Sequence, residues 1–366
     1  MAGRVVLFGA TGFTGELTAR ALVARGARPL LVGRSAGRLE ALAAQLGDLD
    51  TAVVDATAPD AATELAALAG PGDVLVCNVG PFMRWGEPGV LAAIGSGAHY
   101  IDSTGEPPFI RSVFERHGPA AERAGCGLLT ALGYDYVPGN FAGALALRAA
   151  GERAVSVDVG YFLSGGRGGQ ASGGSRASVV GMLAEPGYAF RGGRLVTERA
   201  ARRVHELDGR PAISIGGTEQ FTLPRVHPGL RDVGVWLGWF GTASRPLQVL
   251  SAATSLATRL PGVRGAIGAS AGRLVQGSTG GPDAATRGRA GSRIVAVAAD
   301  AAGSPMATIR LQGRNPYDFT AAMLAWGALR AAEGGLLASG ALGPVDAFGL
   351  DALQAGVAEA GIARSE

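Results

Sequence analysis

The chain of 366 residues contains no lysine: all 33 of its basic residues are arginine. A Schiff base, a P-loop lysine and the Tyr-x-x-x-Lys pair of short-chain dehydrogenases are thereby excluded, since each needs an amine that only lysine supplies. Charge is sparse, at 17% of residues with a net of +3. The arginines are scattered and form no stripe, which argues against nucleic acid as a partner. Only two cysteines occur, Cys77 and Cys126. Neither sits in a CxxC pair or beside histidine ligands, so both are expected to be buried, reduced thiols of a cytoplasmic protein. No set of His, Cys and carboxylates shows ligand spacing, so no catalytic metal is expected. No apolar run reaches the length of a membrane span, and with the first strand beginning within four residues of Met1 no signal peptide is expected.

What the chain has is small and apolar residues: 60 glycines and 47% hydrophobic residues on a length that predicts two domains with separate cores. The first informative stretch is VVLFGATGFTGELTARAL, Val5 to Leu22. Arg4–Phe8 predicts a strand buried on both faces, and Leu17, Ala21 and Leu22 predict a helix after Gly15. Between them the spacing is GxxGxxG. Gly9 makes the turn, Gly12 lets the backbone approach a pyrophosphate, and Gly15 lets the helix close on the strand, with Thr11, Phe13 and Thr14 in the same loop. The anion would rest on the free amides of the helix N-terminus.

A second strand, Pro29–Gly33, ends in Gly33-Arg34-Ser35, where an NAD-specific site would place a carboxylate for the ribose 2′-hydroxyl. Arginine there favours NADP(H), with Arg34 stacking near the adenine and pairing the 2′-phosphate, and a helix starting at about Ser35. The alternative is an ordinary surface arginine. A third strand, TAVVDAT, ends at Asp55, near the adenine edge or as a helix cap. The fourth, DVLVCNVGPF, stops at Asn78-Val79-Gly80-Pro81, on the carboxyl edge where open α/β sheets bind ligands. AHYIDSTGE and CGLLTALGYD supply strands five and six. The prediction is a Rossmann-type, doubly wound parallel sheet over residues 1–137.

Beyond Val137 a strand-like AVSVDVGYFL leads into a glycine-rich stretch at 165–174 and a helix. Alternation in RPAISIGGTEQFTLPRV, RDVGVWLGWFG, SRIVAVAADA and PMATIRLQG predicts a mixed, largely antiparallel sheet. It would build a substrate-binding and dimerisation domain at 138–318, with a helix from Arg245 to Val275. Helices at 319–366 would return to the first domain. VGVWLGWFG, Val233 to Gly241, reads either as a greasy substrate tunnel or carrier-docking surface, or as core or dimer interface.

Acid–base candidates are few. Tyr134 and Asp135 follow strand six at the expected carboxyl edge, and Glu106 lies past strand five. Tyr134 as packing and Asp135 as a helix cap is the equal alternative. His99 reads as structural, and His117, His205 and His227 as isolated.

Six separated stretches resemble one family, the saccharopine dehydrogenase-like oxidoreductases and their bacterial trans-acting enoyl reductase branch. They are GATGFTG (Gly9–Gly15), NVGPF (Asn78–Phe82), GEPGVLAAIGSGAHYIDSTGE (Gly86–Glu106), GYDYVPGN (Gly133–Asn140), SGGSRASVVGML (Ser172–Leu183) and NPYDFTAAML (Asn315–Leu324). The resemblance implies a nicotinamide cofactor, a Rossmann domain followed by an α/β domain that binds substrate and dimerises, and cytoplasmic reductase chemistry. Without lysine the chain departs from true saccharopine dehydrogenases, and no arginine cluster is evident to clamp an acidic substrate, although Arg167 and Arg176 remain open. The expected function is NADP(H)-dependent reduction of a conjugated C=C bond in a lipid-like or polyketide-derived substrate, free or carrier-bound, by a homodimer. The alternatives are C=N reduction and a non-catalytic NADP(H) sensor.

Overall fold

A computed structural model describes residues 3–164, 186–257 and 280–365. The chain divides into two compact units. One comprises Met1–Thr104, Phe109–Val137 and Pro316–Gly361; the other comprises Gly105–Pro108, Pro138–Asn315 and Ile362–Glu366.

The first unit is built on β1 (Val5–Phe8), β2 (Leu30–Gly33), β3 (Thr51–Val53), β4 (Val74–Cys77), β5 (His99–Asp102) and β6 (Gly127–Leu129). Every residue of β1 and β4 is buried, as expected of central strands covered on both faces. The order across the sheet is β6-β5-β4-β1-β2-β3, all parallel. This is the doubly wound Rossmann order, with its reversal between β1 and β4. Helices join the strands because a parallel connection must cross the sheet. A seventh strand, Gly340–Ala341, adds parallel to β6 and was not foreseen, because two residues carry no periodicity. The helix Pro316–Ala332 packs on the helix Phe13–Val23 and on β4 and β5.

Two boundaries differ from expectation. The first helix begins at Phe13, two residues before Gly15, because Gly12 already has the extended backbone of a cap and its carbonyl takes the Glu16 N–H at 2.8 Å. The third strand ends at Val53, so Asp55 lies past it in the loop, where its carboxylate accepts the Thr57 N–H at 2.9 Å.

The second unit carries β7 (Ser156–Ser164), β8 (Pro186–Arg191), β9 (Arg194–Arg199), β10 (Val204–Leu207), β11 (Arg210–Ser214), β12 (Asp232–Leu237), β13 (Gly291–Ala299) and β14 (Pro305–Arg314). The strand Ile362–Arg364 completes a sheet of nine, ordered β10-β11-β12-β7-β13-β14 and 362–364, with β8 joining β12 to β9. It is mixed as expected, since β12 runs parallel to β7 while the other pairs are antiparallel. Phe162, Leu207, Ala212, Trp236 and Val295 form a buried cluster on it. Trp236 is thus core, and its indole Nε1 donates to Asp158 Oδ1 at 2.7 Å.

In RPAISIGGTEQFTLPRV only the first part is strand. Glu219–Val226 is a helix, because Thr218, Glu219 and Thr222 turn inward to bond buried polar partners, which a hydrophobic-alternation reading cannot register. The expected helix from Arg245 is present as Ser244–Ala257. Its continuation to Val275, the glycine-rich stretch, Arg167, Arg176 and the SGGSRASVVGML motif lie outside the described residues.

Candidate nucleotide and reduction site

The glycine turn follows β1 at the strand-order reversal. Gly9 has a φ of +82°, the left-handed region where a side chain is strained, and a Cβ on it would come within 2.9 Å of the Asn78 backbone after β4. At Gly15 a Cβ would stand 2.1 Å from Gly9 O, so the helix can seat on the turn only without one. Gly12 differs: a Cβ there would meet only Gly9 O, at 3.3 Å. Two glycines are therefore needed by the fold, and the third leaves backbone open to an approaching group. Helical geometry leaves the first-turn amides without partners inside the helix, which suits a pyrophosphate.

Around this turn Asn78 takes a central place. Its N–H donates to Phe8 O at 2.8 Å, and its side-chain oxygen accepts the Ser103 hydroxyl at 2.6 Å. A Cβ on Gly9 would also come within 2.9 Å of Val79 Cγ2, and Pro81 caps the short helix Phe82–Trp85. Thr14 O accepts the Thr18 hydroxyl at 2.8 Å, and the Phe13 ring meets Tyr317 edge-on at 5.2 Å. At the end of β2, Arg34 is exposed and Ser35 stands at the N-cap of Ala36–Gln45. Asp55 is held below the usual carboxylate range first by the Thr57 N–H and then by the Thr57 hydroxyl, with a smaller contribution from the Arg34 charge. Arg38, which sequence reading missed, donates to Thr11 O. Its only signal was a second arginine four residues after Arg34.

Asp102 explains HYIDST. Fully buried at the end of β5, its carboxylate accepts the Thr104 N–H, the Ala131 N–H and the Thr130 hydroxyl, each at 2.8 Å, and ties β5 to the segment after β6. Burial pushes it up to about 6 against these bonds. Burial likewise raises the Cys77 thiol to about 12, so it is inert as a nucleophile. Both cysteines are free and buried. His99 Nδ1 accepts the Gly127 N–H at 3.0 Å, and burial lowers its pKa, so it stays neutral.

Tyr134 and Asp135 follow β6 at the same carboxyl edge of the sheet. The Tyr134 ring is 1% exposed and meets Phe319 edge-on, and its N–H donates to Thr320 Oγ1 at 3.0 Å. NPYDFTAAML is thus the segment that supports both the glycine turn, through Tyr317, and the Tyr134 turn, through Phe319 and Thr320. Asp135 is half-buried, and burial pushes its carboxyl up to about 7. Glu106 is buried and belongs to the second unit, whereas Tyr134 and Asp135 belong to the first. GYDYVPGN likewise ends in the second unit. There Asn140 Nδ2 donates to Thr218 Oγ1 at 2.8 Å and its oxygen accepts from Thr222, while Gly139 lies against the Tyr161–Glu219 hydrogen bond of 2.5 Å.

A doubly wound sheet with an open glycine turn at its strand-order reversal defines a dinucleotide-binding unit. Residues 5–127 match the family model of the saccharopine dehydrogenase NADP binding domain, which bears out the resemblance and the NADP cofactor for this segment. A trans-acting enoyl reductase of Mycobacterium leprae is 41% identical over 140 residues, and one of Mycobacterium ulcerans 39% over 140; each match takes in 37% of this chain. The chain spans 33% of the length of these curated relatives. Among solved structures, a saccharopine dehydrogenase (L-Glu forming) of Saccharomyces cerevisiae aligns over 99% of both chains with a TM-score of 0.58 at 14% identity, a likeness of fold. Among the described residues no helix is long and apolar enough to cross a membrane.

Proposed function

We propose that the chain is an NADP(H)-dependent reductase of a conjugated C=C bond in a lipid-like or polyketide-derived acyl substrate, free or carried on a protein. The observation that carries this reading is the open glycine turn at the strand-order reversal of a doubly wound sheet, with Asp135 following β6 on the same carboxyl edge. The names of the mycobacterial relatives support the same reaction class.

NADP(H), when bound, supplies the hydride. The glycine turn and the helix N-terminus hold the pyrophosphate, and Arg34 and Ser35 receive the ribose 2′-phosphate, with Asp55 beside Arg34 at the adenine edge. Hydride addition at the β-carbon leaves an enolate whose α-carbon needs a proton. Asp135 is the carboxyl placed to deliver that proton, because burial disfavours its charged form and raises it to about 7, where a part of the population carries the proton at neutral pH. With no lysine in the chain and the Tyr134 ring packed edge-on against Phe319, Tyr134 acts as the support that aims Asp135.

An acid of this kind works only while protonated. The turnover rate of the wild type is expected to fall as pH rises through about 7, and Asp135→Asn to lower it by roughly 10²-fold or more and to remove that limb. The assay follows NADPH oxidation with α,β-unsaturated thioesters and with imines. Consumption by the thioesters alone supports the reading. Consumption by imines alone assigns C=N reduction, and bound NADPH with neither reaction assigns a non-catalytic sensor.

A further inference from the structure

Arg38 lies in the first turn of the helix Ala36–Gln45, four residues after Arg34, and belongs to none of the motifs read from the sequence. Its Nη2 donates to Thr11 O at 2.5 Å, across 27 residues of chain. The other end of that same peptide group, the Gly12 N–H, donates to Gly9 O at 3.0 Å. The Thr11–Gly12 peptide at the crest of the glycine turn is therefore held at both poles, once by a charged donor, which makes the stronger kind of hydrogen bond. Arg34 instead lies in the field of Asp55.

We propose that Arg38 is a positioning residue: it fixes the glycine turn in the conformation that presents the first-turn amides to a dinucleotide pyrophosphate, with or without a 2′-phosphate. Ordering the turn before the ligand arrives removes part of the ordering cost of binding, and this gain is common to NADH and NADPH. Arg34, four residues away with the same charge, discriminates between them. The inference rests on the glycine turn being the nucleotide site.

The test is titration of the whole protein with NADPH and with NADH, joined to amide hydrogen exchange at Gly12 without nucleotide. Arg38→Met keeps the aliphatic stem and removes the donor. It is expected to weaken both nucleotides by roughly fivefold to tenfold, leaving their ratio unchanged. Arg34→Met, the charge-matched comparison, weakens NADPH alone, and Arg38→Lys, which retains a charged donor, recovers most of the loss. Gly12 exchange quickens in Arg38→Met at an unchanged Tm. NADH affinity within about twofold of the wild type, or unchanged Gly12 exchange, overturns the proposal. If the wild type binds neither nucleotide, the site reading falls, and Gly12 exchange in the free protein still decides whether Arg38 holds the turn.

Discussion

Asp102→Ala is expected to lower the unfolding free energy by roughly 3–5 kcal/mol, since it strands two buried amides and a hydroxyl that now bond one carboxylate. The partners lie on two segments, Thr104 after β5 and Thr130 with Ala131 after β6. The same change therefore loosens the carboxyl edge on which Asn78, Ser103 and Tyr134 stand. Urea unfolding followed by circular dichroism measures the loss; a cost below about 1 kcal/mol contradicts the assigned role. Asp102 also leaves a signature in pH. Its folded value of about 6 lies above its ordinary 3.8, so the folded state binds the proton more tightly. That contribution is complete below the unfolded value and is lost as pH rises through about 6. Asp102→Asn should flatten this part of the stability profile.

The second large effect is at Gly15. Its would-be Cβ lies 2.1 Å from Gly9 O, 2.9 Å from Gly9 C and 3.0 Å from Ala10 Cα, all backbone atoms that cannot swing aside. Gly15→Ala must push the helix Phe13–Val23 off the turn. The expected loss is about 2–3 kcal/mol of stability and on the order of 100-fold in NADPH affinity, because the helix amides leave the turn they serve. Gly95→Ala is the matched control: it is also helical, but a Cβ there meets nothing within 4 Å. Equal NADPH affinity in Gly15→Ala and Gly95→Ala would remove the glycine turn from the site.

The residues that were legible in the sequence are those whose role is set by backbone conformation or strand periodicity. Gly9, Gly15 and the apolar runs of β1 and β4 state their requirements locally, and the mixed second sheet announced itself by alternation. The site's supports were not legible, because they depend on contacts distant in sequence. Thr320 meets Tyr134 across 186 residues and Thr130 meets Asp102 across 28; each threonine lies in a stretch the sequence singled out, NPYDFTAAML and CGLLTALGYD, but neither stretch states which distant partner its threonine bonds. Helix Glu219–Val226 was misread because its inward face is polar, satisfied by Asn140 and Tyr161. Arg38 escaped because a surface arginine on a helix carries no local sign that it reaches a loop.

The central claim is an NADP(H) site at the glycine turn, and its most direct measurement is a nicotinamide fluorescence titration of wild type and Arg34→Ala with NADPH and NADH. The account predicts that the wild type prefers NADPH and that Arg34→Ala loses this preference, by roughly tenfold in NADPH affinity, while NADH binding is kept. Absence of binding by either nucleotide, or an NADPH affinity indifferent to Arg34, would contradict it.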